Sequence, residues 1–374
     1  MKHYSLVIIL TIISIFCSAQ QENLQLIVPQ SKSKAQLKSS NKMDKNSEFN
    51  NQYKLETFVL DNGLTVYLNE DKNVPNIIGA VVIKTGGKYD PANATGTSHY
   101  LEHMMFKGNE IIGTTNYNEE KLILDEISKK YDELGKITDN EERKKIQKEI
   151  NELSIKAGEF AIPNDLDKIL DEIGSTFVNA FTSDEIVAYF NIFPSSQINK
   201  WLNVYSTRFQ KPVFRLFQSE LETVFEEKNM YADNMQTAII ENFYKNFYKN
   251  HPYGTQTVIG KPEHIKNPSQ STMQKMYDTY YVANNMALVL CGNFNSEEIK
   301  PLINKYFNDW RKGEIPKYPV YEEKPFNGEE IVKTRLAPIK LGIMGFRTVP
   351  NNSKDEIGLE ICSALLNNSS ETGL

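Results

Sequence analysis

The stretch "GTSHYLEHMMFKGNE", residues 96–110, limits the fold more than any other part of the chain. Tyr100, Leu101, Met104, Met105 and Phe106 leave a helix built from it almost no polar face, so that helix must be buried. It nevertheless carries His99, Glu102 and His103, in a chain with 5 His among 374 residues. Two imidazoles and a carboxylate taken out of water without partners cost several kcal/mol, so the fold has to satisfy them. On a helix His99 and His103 lie one turn apart, about 6 Å along the axis and within roughly 40° around it, and both rings reach one ion. Glu102 shares that side but reaches the ion less directly, which places it to take a proton from a water held there. The plainer alternative is a hydrogen-bonded core cluster, but a metal satisfies the whole group with one atom.

A catalytic zinc usually has three protein ligands and one open position, so a third ligand must come from elsewhere. The best source is "SELETVFEEKNMYADN", residues 219–234. On a helical wheel Leu221, Val224 and Phe225 define its inward face; Glu220 and Glu227 fall together at the rim, and Glu226 points to solvent. Glu227 is therefore the candidate ligand, and Glu220 suits an outer role, orienting a histidine.

A net charge of -6 argues against nucleic acid as a partner, because phosphate binding needs a net basic face. The opening residues "MKHYSLVIILTIISIFCSAQ" combine Lys2, an apolar run and a small-residue exit, which reads as a signal peptide over residues 1–19. The run is too short for a stable membrane span, so export to the periplasm or outside the cell is expected. Residues 20–52 are too poor in large apolar groups to order themselves and read as a flexible leader. Cys291 and Cys362 each sit in an apolar stretch, which predicts two separate buried thiols and no disulfide.

Folding is expected from about Leu55. "FVLDNGLTVYLNE" alternates apolar and polar residues around Asp61-Asn62-Gly63, a hairpin pattern, and "NIIGAVVIKTGG" is apolar enough for a strand buried on both faces. Residues 117–161 repeat apolar positions at helical spacing with a break at Gly135 to Asn140, predicting a helical hairpin whose charged face is wetted. A helix from Asp165 to Ile173 leads to two β-rich runs joined at Thr182-Ser183-Asp184. Helices follow at Ser195 to Gln210, Leu216 to Asp233, Thr237 to Tyr248 and Ser271 to Tyr280, then the strand "MALVLCGNF" and a helix from Ser296 to Phe307. Residues 313–325 read as a linker, 329–350 as strands and 354–368 as a helix, so that 326–374 begins a second strand-and-helix unit that Leu374 leaves unfinished. His251 reads as a turn-forming loop residue and His264 as a surface residue.

These residues resemble the inverted-zincin metallopeptidases of the M16 family, the pitrilysin, insulysin and mitochondrial processing peptidase group, named for His-x-x-Glu-His. "LDNGLTVYLNED", "GGKYDPANATGTSHYLEHMMFKGNE", "VNAFTSDEIVAYF", "ELETVFEEKNM", "HPYGTQTVIG" and "YYVANNMALVLCGNF" look like successive family blocks over residues 55 to about 295. The resemblance implies an α+β, M16-type (LuxS/MPP-like) lobe at 53–312, an antiparallel-rich sheet packed with helices, with the helical hairpin as an insertion. It implies a secreted zinc endopeptidase with one Zn2+ per chain held by His99, His103 and Glu227, Glu102 as general base and Glu220 in support. It further implies that Asn179-Ala180 lie on an edge strand that pairs with a peptide or unfolded protein substrate, as bare edge-strand chemistry also allows. A second M16-like half, in the same longer chain or in a partner subunit, would complete the chamber. The rival from another class is a non-catalytic, peptide-binding supporting subunit.

Overall fold

The computed structural model describes residues 55–336, 341–349 and 353–366; the signal peptide and leader expected over residues 1–52 lie outside them. Strands β1 (Leu55–Val59) and β2 (Thr65–Glu70) form the hairpin around Asp61-Asn62-Gly63. Gly63 takes a φ of 92°, which a side chain would resist. Asn62 works on both sides of the turn: its Oδ1 accepts from Leu64 N–H, and its Nδ2 donates to the carbonyls of Phe307, Asn308 and Trp310. The Phe307 carbonyl is the last of a distant helix, so the turn is tied to the end of that helix.

Strand β3 (Asn76–Ile83) is buried along most of its length, as its apolar run predicts, because it lies inside the sheet. Helix α1 (Thr97–Met104) follows, then the helical hairpin α2 (Tyr117–Leu134) and α3 (Asn140–Gly158), and helix α4 (Asp165–Glu172). Strands β4 (Thr176–Thr182) and β5 (Val187–Pro194) precede helices α5 (Ile198–Arg208), α6 (Phe217–Asp233) and α7 (Met235–Phe247). Helix α8 (Gln270–Tyr280), strand β6 (Met286–Gly292) and helix α9 (Ser296–Phe307) complete this unit. The sheet runs β1-β2-β6-β3-β5-β4, with β6 parallel to β2 and the other four pairings antiparallel. The fold is thus an antiparallel-rich α+β lobe, and β4 lies at its edge.

Helix α5 shows how tightly the sheet is covered. Trp201 stacks on Phe193 and on Tyr205 at centroid distances of 4.8 and 4.1 Å, and its Nε1 donates to Asn191 Oδ1 at 2.7 Å. The indole lies over Gly79 of β3, where an added Cβ would stand 2.3 Å from Trp201 Cζ2. Gly79→Ala should therefore destabilise the protein by about 1–3 kcal/mol through overpacking, seen as a lower urea midpoint; an unchanged midpoint would contradict the packing of α5 on β3.

Two expectations are corrected here. The charged face of the hairpin is not wetted throughout: Glu120 of α2 is fully buried because Arg215 reaches it, Nε to Oε1 at 2.9 Å. The 313–325 segment has no regular structure, as a linker would, and Tyr318 donates to the Lys88 carbonyl while Glu323 accepts from the N–H groups of Asn250 and His251. The strands expected over 329–350 are absent among the described residues there; an extended run needs a neighbouring strand to hold it, and no described strand pairs with it.

A second compact unit is distinguished, whose described residues are 341–349 and 353–366; it holds helix α10 (Glu356–Leu366). Neither Cys291 nor Cys362 forms a disulfide among the described residues, and neither is buried: Cys291 is half-buried with Sγ 3.2 Å from Asn69 Oδ1, and Cys362 is exposed.

Candidate metal centre

Helix α1 is set in place at both ends. Its buried N-terminal amides, which have no partner within the helix, are met by Asp90: Oδ2 accepts from Gly96 N–H at 2.7 Å, and Oδ1 accepts from Ser98 N–H at 2.9 Å and Ser98 Oγ at 2.6 Å. Burial pushes the Asp90 carboxyl up to about 7 against the pull of those donors. Gly96 adopts a φ of 88°, and a Cβ there would stand 2.7 Å from the Ile259 carbonyl, so the helix starts hard against the 257–260 loop. His264 is not simply a surface residue: its Nδ1 meets Thr95 Oγ1 at 2.8 Å, next to that start. At the other flank Tyr100 donates from its hydroxyl to the Phe217 carbonyl at 2.5 Å, which ties α1 to the first residue of α6.

Helix α6 turns Val224 fully inward with Leu221 and Phe225 beside it, leaves Glu226 exposed, and brings Glu220 and Glu227 to α1. His99 Nε2 and His103 Nε2 stand 3.6 and 3.4 Å from the same oxygen, Glu227 Oε2. One donor atom from each of the three residues lies within 4.8 Å of the others. These gaps are long for hydrogen bonds. They match the spacing of about 3.4 Å between ligand atoms that tetrahedral coordination with 2.0–2.1 Å bonds produces. The donor chemistry, two imidazole nitrogens and a carboxylate, also suits zinc, so the residues fit such an ion.

The electrostatics are uneven. Burial, and then the neighbouring imidazole, pulls His99 down to about 4. Burial pulls His103 down too, but the Glu220 and Glu227 carboxylates outweigh it and hold it up at about 9. Contact with His103 lowers Glu227. A proton shared with carboxylates thus sits where a divalent cation would compete for the same lone pairs. His103 Nδ1 faces Glu220 Oε1 at 2.9 Å, and the other Glu220 oxygen is paired with Lys107. Glu102 stays outside the donor group; its Oε2 accepts from Thr182 Oγ1 at 2.5 Å, and burial raises its carboxyl.

A cavity of about 1150 Å³ opens onto these groups, walled by β4 on one side and by α7, none of whose residues is buried. Asn179 and Ala180 line it, each paired on its inner side with β5. Asn179 Oδ1 accepts from the Ala180 N–H at 2.8 Å. Sequence reasoning missed Thr182, Lys107 and Asp90. Thr182 lies inside the quoted block "VNAFTSDEIVAYF", but its contact with Glu102 spans 80 positions and leaves no local pattern. His251 does shape a turn, accepting from Tyr253 N–H. Among the described residues no helix is long and apolar enough to cross a membrane.

Comparison with known proteins agrees with this architecture. The chain is 24% identical over 322 residues to the zinc protease PqqE of Helicobacter pylori, covering 84% of this chain and 61% of that protein. It is 25% identical over 293 residues to an uncharacterized zinc protease of Rickettsia felis, with 78% and 58% covered. The human mitochondrial-processing peptidase subunit beta is 23% identical over 315 residues, with 83% and 53% covered. The chain thus spans less than two thirds of each relative's length. Among solved structures, a protease from Helicobacter pylori superposes with a TM-score of 0.54 at 22% identity, covering 71% of this chain and 52% of that one. The first half of the periplasmic protease PqqL from Escherichia coli gives 0.55 at 18% identity, with 72% and 49% covered. The family model described as "Peptidase M16 inactive domain" matches residues 269–374. With the model described as "Insulinase (Peptidase family M16)" matching residues 65–143 and 150–260, just over half of its length, the chain belongs to peptidase family M16.

Proposed function

We propose that this chain is the catalytic part of a zinc-dependent endopeptidase that hydrolyses extended or unfolded peptides. One observation carries it: His99, His103 and Glu227 converge in an open cavity where a fourth polar group, Glu102, stands beside an edge strand. The relatives in Rickettsia felis and Helicobacter pylori are both named as zinc proteases, which supports it.

A zinc ion held by His99, His103 and Glu227 would supply Lewis acidity, polarising the scissile carbonyl and acidifying a water. Glu102 takes the proton of the attacking water on its carboxylate and returns it to the departing amine. Thr182, donating to Glu102 Oε2, keeps the other carboxylate oxygen turned to the cavity. The edge strand β4 receives the substrate backbone at Asn179 and Ala180 by strand addition, which a folded protein cannot offer. Residues 53–312 are the peptidase lobe in this reading, 313–325 the linker, and 326–374 the start of a second lobe; a second M16-like half, in a longer chain or a partner subunit, completes the chamber. The match to the second family model and the partial coverage of the relatives support that. Export through residues 1–19 to the periplasm or beyond is in keeping with the periplasmic PqqL structure.

The test is metal content together with cleavage. After dialysis against zinc, about one zinc per chain is expected, along with cutting of unstructured peptides in preference to folded proteins. A chain that takes up no zinc overturns the reading; one that binds zinc and peptides without cutting them points to the supporting-subunit alternative.

A further inference from the structure

We propose that Lys107 is a positioning residue of the metal centre, acting through Glu220 on His103. This rests on the zinc reading above. Lys107 Nζ pairs with Glu220 Oε2, and Glu220 Oε1 meets His103 Nδ1 at 2.9 Å. An imidazole that donates its Nδ1–H to a carboxylate turns its Nε2 lone pair outward, here to the point shared with His99 and Glu227.

The two imidazoles are not held alike. His99 Nδ1 is buried and has no hydrogen-bond partner among the described residues, so His103 is the ring whose orientation the protein dictates. That orientation depends on a carboxylate, and the carboxylate depends on Lys107. The Lys107 and Glu220 side chains are only 20% and 13% exposed, so the pair is shielded from solvent more than an ordinary surface ion pair.

Lys107 is itself anchored. Its carbonyl accepts from Arg215 Nη1 at 2.6 Å, and Arg215 Nη2 also donates to the Asn109 carbonyl, which fixes the turn leaving α1. Glu220 lies in the first turn of α6. The Lys107–Glu220 pair therefore joins the two helices that carry the three candidate ligands. An incidental ion pair makes a different forecast: its removal changes stability slightly and metal affinity not at all.

The experiment is chelator competition for zinc on the full chain, with the unfolding midpoint of the metal-free protein measured alongside. Lys107→Met and Lys107→Gln are expected to bind zinc about 10–100-fold more weakly than the parent, the usual cost of losing an outer-shell partner, with the metal-free midpoint little changed. Lys107→Arg, which keeps a cation in reach, recovers most of the affinity. In a Glu220→Gln background Lys107→Met adds nothing, because the carboxylate through which it acts is gone. Parent-like affinity in both Lys107 variants, or an equal loss with and without Glu220, overturns the inference while leaving the zinc reading intact. A parent chain that holds no zinc overturns both.

Discussion

Glu102→Gln is expected to keep its zinc and to lose peptide hydrolysis by about 10²–10⁴-fold, the range that a positioned general base contributes. The two properties separate because Glu102 lies outside the donor group formed by His99, His103 and Glu227. The amide has the shape of the carboxylate, and its oxygen still accepts from Thr182 Oγ1, so neither the burial of α1 nor the contact with β4 is disturbed. What goes is the capacity to accept a proton. Zinc content and turnover of an unstructured peptide, measured on one preparation, decide the matter. Zinc-loaded Glu102→Gln cutting at the parent rate would remove Glu102 from the base role, and loss of zinc would mean that it helps to hold the ion.

The parts of this site that were legible in the sequence are those governed by helical period. His99 and His103 share a face because they are four apart, and Glu220 and Glu227 share an edge because they are seven apart, whatever the rest of the chain does. The β1–β2 hairpin was legible for a similar local reason, since Asn62 and Gly63 carry the turn. Neighbour relations were not. "MALVLCGNF" announces a strand, yet nothing in it says that β6 slots between β2 and β3 and runs parallel to β2. Nor does Glu120, one of several acidic residues on a charged helix, differ locally from those that stay wet. Its burial is decided by Arg215, 95 positions later. The thiols were misjudged by the same route, because an apolar stretch does not say which of its side chains faces inward.

That hidden pair carries the largest stability effect expected here. Arg215→Ala should cost about 3–5 kcal/mol, as the breaking of a buried ion pair does, because Glu120 at 0% exposure would be left charged and alone. The loss goes beyond the pair: Arg215 also donates to the carbonyls of Lys107, Asn109 and Ile112, which hold the turn between α1 and α2. Those acceptors separate two explanations. If the charge on Glu120 is the whole cost, the double variant Glu120→Leu/Arg215→Met regains parent stability, since a buried pair and its apolar replacement are often equal. If the carbonyls matter as well, the double variant recovers only part, each buried orphan costing about 1–3 kcal/mol. The second outcome is expected, from urea unfolding of the three chains. An Arg215→Ala chain within about 1 kcal/mol of the parent would mean that the turn is held by other contacts. Arg215 would then not be what anchors the Lys107 carbonyl beside the metal centre.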